Sequence, residues 1–215
     1  MKKLIVLALA ALFFSPSAFA QFQKNRMYEV TVTNITGGQY FTPILAVTHK
    51  PDIALFDLGV PASEELELLA ENGMTKPLED AVLAAGDSVV DTATSEGLLG
   101  PGETTKIMIE GRTLRVLSLA AMLLPTNDSF IGLNSMILPR SIGETTARAY
   151  DAGTEANDEL CVSIPGPQCM GENVNDDSGE GFVHVSPGTH GEGDLSAAAY
   201  DWRNPVALVS VRRVR

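Results

Sequence analysis

Thr113-Leu-Arg-Val-Leu-Ser-Leu-Ala-Ala-Met-Leu-Leu124, held between Gly111 and Pro125, decides the fold class. Its Leu and Ala content suits a helix. Between a Gly and a Pro it is also apolar enough for a strand covered on both faces. We read it as a strand, and the chain around it as an all-β domain.

Working outward, Thr104 to Glu110 alternates after the tight connection Gly100-Pro101-Gly102, and Phe130 to Asn134 follows the turn at Pro125. Met27 to Thr33 places Tyr28, Val30 and Val32 on one side and Glu29, Thr31 and Thr33 on the other, a half-buried strand. Asn34 to Gly38 makes a turn, Thr42 to Thr48 a second extended segment, and Pro205 to Val211 a last strand before the basic Arg212, Arg213 and Arg215. A helix is expected over 61–72, where Leu66, Leu69 and Ala70 share a face, Glu64 and Glu65 favour the amino end and Gly73 stops it. Leu78 to Ala85 predicts a further helical turn. Residues 156–199, rich in Gly, Asn, Asp, Glu and Pro, read as a long acidic surface excursion. Short strands, few helices and no internal repeat indicate an antiparallel sandwich.

Lys2 and Lys3, the apolar run from Leu4 to Phe14 and Ala18-Phe19-Ala20 form the pattern of a secretory signal peptide over residues 1–20. The run is too short to span a bilayer and no comparable stretch follows, so no transmembrane segment is expected in the mature chain. The absence of Cys near the cleavage site argues against a lipoprotein anchor. Residues 21–215 are expected to form one domain, exported to the periplasm or outside the cell. Loss of Lys2 and Lys3 takes the formal charge from −12 to about −14, which disfavours nucleic acid as a partner. Cys161 and Cys169, the chain's two cysteines, are expected to pair in an oxidising compartment, and three His with no other Cys make a poor tetrahedral zinc set.

Three carboxylates stand in Gly/Pro-bounded loops: Asp128 in Pro125-Thr-Asn-Asp-Ser-Phe130, and Asp151 and Glu155 in Tyr150-Asp-Ala-Gly-Thr-Glu155. Hard oxygen ligands on irregular loops suit Ca²⁺, which takes about six to eight oxygens at about 2.3 to 2.6 Å. Gly153 can adopt positive φ and curl the chain so that Asp151 and Glu155 face one point. Three anions so gathered without a cation would repel and raise at least one pKa. Solvated loop acids are the alternative. Asn173-Val-Asn-Asp-Asp-Ser-Gly179 fails the EF-hand template, with Ser178 at position six and His184 at position twelve, and reads as an acidic loop. Asp176, Asp177 and Glu180 there suit at most weak divalent binding. Gly86-Asp87-Ser88 suggests a hydrolase nucleophile, but neither His184 nor His190 has the Asp three positions ahead that such a triad needs. His49 reads as a structural residue in a turn, and Trp202 as core packing.

The ordered set of Phe56, Gly59 and Pro61-Ala-Ser63-Glu64, the apolar run into Pro125-Thr-Asn-Asp128, Ile131-Gly-Leu133, Tyr150-Asp-Ala-Gly-Thr-Glu155 and Pro205-Val-Ala-Leu-Val-Ser-Val211 resembles the landmarks of the spondin domain. The resemblance implies a C2-like antiparallel β-sandwich with one or two short helices that binds Ca²⁺ through loops at one end. It carries the ligand roles to Asp128, Asp151 and Glu155, the last being longer by one methylene than the family's Asp. It implies a binding or adhesion module rather than an enzyme, whose partner is a protein or an envelope or matrix polymer. An exported hydrolase using Ser88 or the metal site, and a structural domain without metal, are the alternatives.

Overall fold

The computed structural model describes residues 24–171 and 178–214; the expected signal peptide, Asp176, Asp177 and Arg215 lie outside them. The protein is mostly β. Strands β1 (Arg26–Asn34), β2 (Tyr40–Phe41), β3 (Leu45–His49), β4 (Val89–Thr94), β5 (Thr104–Gly111), β6 (Val116–Leu124), β7 (Ser129–Ile137), β8 (Ile142–Asp151), β9 (His184–Val185) and β10 (Ala207–Arg213) form one antiparallel ten-stranded sheet. Helices α1 (Glu64–Asn72), α2 (Thr75–Leu83) and the single turn α3 (Ala197–Tyr200) are short.

The ladder runs β4-β3-β6-β7-β8-β10-β1-β5, with β2 on β6 and β9 on β8. It is continuous because β8 changes partner: Ile142 to Ala147 pair with β10, and Arg148 to Asp151 with β7. The two ends of the path, β4 and β5, are joined by side chains. Asp91 Oδ2 of β4 accepts the Glu110 N–H at 2.7 Å, and the Thr48 hydroxyl of the neighbouring β3 donates to the Glu110 carbonyl at 2.6 Å. The sheet is therefore nearly closed and barrel-like, and these bonds satisfy backbone groups that an open edge would leave exposed.

β6 is a strand, as its apolar run predicts, beginning at Val116 after a turn that leaves Leu114 exposed. Every residue of it is buried. Leu117, Leu119, Ala121 and Leu123 enter the main core with Tyr28, Val30, Val32, Ile107, Ile109, Val209, Val211 and Trp202. Ala120 faces the other way, into a second core where Leu45, Val47 and Phe130 meet Leu66 and Leu69 of α1 and Leu78 and Val82 of α2. Helices cover this face of the sheet, which explains the missing alternation. β1 alternates because its outer face stays open, where Glu29 lies between Lys106 and Arg212 at 3.5 and 2.9 Å.

α1 starts one turn later than the Pro61 expectation. The Ser63 hydroxyl caps the Leu66 N–H, and Gly73 at φ 68° ends the helix in the left-handed region that glycine tolerates. β2, β4, β8 and β9 add four strands to those expected, and β7 extends to Ile137. His49 belongs to β3 rather than to a turn. Its Nδ1 donates to the Lys50 carbonyl at 2.7 Å, so its Nε2 accepts from Ser118 Oγ at 2.8 Å, and burial holds its pKa down.

The described residues of the expected surface excursion over 156–199 are anchored. Ile164, Val183 and Leu195 are buried, Cys161 and Cys169 are disulfide-bonded, and the Glu159 carboxylate accepts the N–H groups of His190, Gly191 and Glu192. Among the described residues no helix is long and apolar enough to cross a membrane.

Candidate metal centre

The turn from β6 to β7 carries Asp128, and the end of β8 carries Asp151. Ser129 pairs with Asp151 in the ladder, so the two loops leave the sheet side by side. The Ala152 N–H donates to the Asp128 carbonyl at 3.2 Å. Asp128 Oδ2 then accepts from the Thr154 N–H at 2.7 Å, the Glu155 N–H at 3.2 Å and the Thr154 hydroxyl at 3.2 Å. One carboxylate oxygen thus organises the whole Asp-Ala-Gly-Thr-Glu turn. Its other oxygen, Oδ1, is buried without a hydrogen-bond partner.

Asp151 is fully buried as well. Its Oδ1 accepts the Gly153 N–H at 2.9 Å, its Oδ2 the Asn157 amide at 3.0 Å, and Gly153 has the left-handed φ of 68° expected for this curl. Burial first, and the nearby Asp151 charge second, push the Asp128 pKa up to about 7 against the opposing Thr154 and Glu155 hydrogen bonds. Burial likewise raises Asp151, with the Asn157 amide and the His184 charge pulling the other way.

The long excursion returns to this place. The Gly181 N–H donates to the Gly153 carbonyl at 2.8 Å, and Val183 is hooked to the Gly59 and Val60 backbone at 2.8 and 2.9 Å. β9 then pairs with the end of β8, setting His184 opposite Asp151. His184 Nε2 lies 3.4 Å from Asp151 Oδ1 and 3.5 Å from Glu180 Oε2. One ligand atom from each of Asp151, Glu180 and His184 falls within 4.8 Å of the others, a group able to hold a metal ion. Burial opposes the His184 imidazolium, yet the Val185 carbonyl, Asp151 and Glu180 together outweigh it and raise its pKa.

Residues 25–159, well over half of the chain, match the Spondin_N family model. The chain belongs to the Spondin_N family. No curated protein matches it. The spondin match contains all three expected ligands, and the structure places them unequally. Asp128 and Asp151 are neighbouring buried acids. Glu155 is buried in the same turn and reaches Asp128 through its backbone N–H. Asp151 alone joins the geometric metal group, whose other members, Glu180 and His184, lie beyond the spondin match.

In the sequence, Glu180 has only a weak role, and His184 stands only as a misfit at position twelve of an EF-hand loop and as a triad base. The alternating Phe182-Val-His-Val185, bounded by Gly181 and Pro187, was the available strand signal. At the hydrolase-like block, Ser88 Oγ faces Lys50 Nζ at 3.5 Å, while His49 and His184 hold the contacts given above.

Proposed function

We propose that the mature chain, residues 21–215 after removal of the signal peptide, is an exported single-domain spondin module of the C2-like sandwich type, whose loop end binds Ca²⁺. Family membership and the Cys161–Cys169 bridge support a protein that works outside the cytoplasm. Asp128 and Asp151 supply the principal ligands, and the Glu155 carboxylate approaches from the same turn. The observation that carries this reading is the buried, unpartnered Asp128 Oδ1 beside a second buried carboxylate. Two desolvated acids at one place are costly unless a proton or a cation relieves them, and a hard divalent ion suits their oxygens.

Calcium would supply positive charge that lets both acids stay ionised. The chain's own contribution is positional: Thr154 and Glu155 N–H groups hold one Asp128 oxygen, and Asn157 and Gly153 aim Asp151. The ordered loop end presents a rigid surface for a protein or an envelope or matrix polymer, a binding or adhesion role rather than catalysis. Calorimetric titration of calcium into chelator-treated protein tests the site. Stoichiometric binding, lost in Asp128→Ala and in Asp151→Ala, is expected, with a melting temperature that rises with calcium. Binding that is unchanged in both variants rejects the site.

A further inference from the structure

We propose that Asp151, Glu180 and His184 form a second divalent-metal site that takes a borderline transition ion such as Zn²⁺ in preference to Ca²⁺. It shares Asp151 with the calcium reading but does not rest on it, because its other two ligands come from the segment after the spondin match.

The histidine tautomer carries the argument. His184 Nδ1 lies 3.1 Å from the Val185 carbonyl, which can only accept, so Nδ1 bears the proton. Nε2 of the neutral ring therefore presents a lone pair, and this buried atom makes no hydrogen bond. The atoms it faces are carboxylate oxygens, Asp151 Oδ1 at 3.4 Å and Glu180 Oε2 at 3.5 Å. With that ring neutral, three electron-pair donors surround one point, and either a proton on Nε2, which the two carboxylates favour, or a metal ion that displaces it relieves their repulsion.

The spacing fits such an ion. Tetrahedral zinc with bonds of about 2.0 to 2.1 Å sets its ligand atoms about 3.3 to 3.4 Å apart. Glu180, the most exposed of the three side chains, closes any remaining gap by a rotamer change. Calcium is the poorer occupant because its preference is for oxygen, whereas imidazole with carboxylates suits zinc and its neighbours.

The surrounding groups hold the ligands in place as a metal site requires. The Val185 carbonyl fixes the imidazole, the Gly153 N–H holds Asp151 Oδ1, and the Asn157 amide bonds Asp151 Oδ2 at 3.0 Å and Glu180 Oε1 at 3.4 Å. Phe182 packs against the His184 ring at 5.5 Å. Three protein ligands leave a fourth position for water.

The test is separate titration of ZnCl₂ and CaCl₂ into the chelator-treated full chain, with imidazole nitrogen NMR of the zinc-loaded protein. His184→Ala and Glu180→Gln are each expected to weaken zinc binding at least about tenfold while leaving calcium affinity within about twofold. His190→Ala should change neither. Asp128→Asn should weaken calcium and leave zinc binding in place. A zinc-dependent shift of His184 Nε2, with Nδ1 still protonated, is the expected signature. Zinc affinity that survives both ligand variants, no zinc binding by the unaltered protein, or an imidazolium that ignores zinc overturns the proposal. Failure of calcium titration with the zinc results intact removes only the calcium reading.

Discussion

Asp128 and Glu29 carry the same functional group on the same sheet, and their surroundings move them in opposite directions. Glu29 stands on the open face of β1, where its hydrogen bond to Arg212, with Lys106 beyond, lowers its pKa. Asp128 sits at a strand end beneath the loops, where burial and Asp151 raise its pKa to about 7. The open face supplies water and two cations to Glu29. The loop end supplies N–H groups to one oxygen and leaves the other to repel its neighbour. An acid of the first kind decorates a surface; one of the second is poised for a cation.

The largest predicted effect separates their pH responses. The folded-state pKa of Asp128 lies above its ordinary 3.8, so its protonated form stabilises the metal-free fold fully below about pH 4, and this is lost as pH rises through about 7. The loss is on the order of 4 kcal/mol, and Asp151 shifts in the same direction. Urea unfolding in chelator should therefore show stability falling from pH 4 to pH 8. Asp128→Asn should flatten that fall, and calcium should reverse it. A flat profile in the unaltered protein would break the comparison.

Gly132→Ala tests the packing beside the acid. A Cβ there would lie 2.7 Å from the Phe56 ring and 2.8 Å from Tyr150, so a loss of about 1 to 3 kcal/mol by thermal unfolding is expected. Thr154→Val removes one of three donors to Asp128 Oδ2 at a cost of about 1.5 kcal/mol, and the midpoint of the pH transition should move upward. Glu29→Gln is the smallest change. Its folded pKa is lowered, so any contribution appears above the ordinary 4.5 and is lost as pH falls. Melting at neutral pH should stay unchanged, and added salt should make no difference to that result.

The strands that sequence reading identified were those whose periodicity reports their surroundings directly. Met27 to Thr33 alternates because one face meets water, and the run into Leu124 does not because the sheet and two helices enclose it. β8 was missed. Its first half reads Ile142-Gly-Glu-Thr-Thr, with most of its outward residues polar and its inward ones small, a weak signal for a strand that serves three partners. In the acidic 170s loop, composition drew attention to Asp176, Asp177 and Glu180; the first two lie outside the described residues, and the group found among those described joins Glu180 to His184 and Asp151.

From the sequence alone came the β-rich character, the spondin resemblance, the disulfide pair and the place of Asp128 and Asp151 in loops. These rest on local periodicity and on short ordered motifs, which survive in one dimension. Only tertiary structure decided that β8 joins both halves of the sheet and that Asp128 Oδ2 takes all the donors of Thr154 and Glu155 while Oδ1 has none. It also decided that His184, 33 residues after Asp151, becomes its ladder partner. Those outcomes depend on long-range strand pairing and on the hook of Val183 to Gly59 and Val60, contacts between distant segments that no local pattern records.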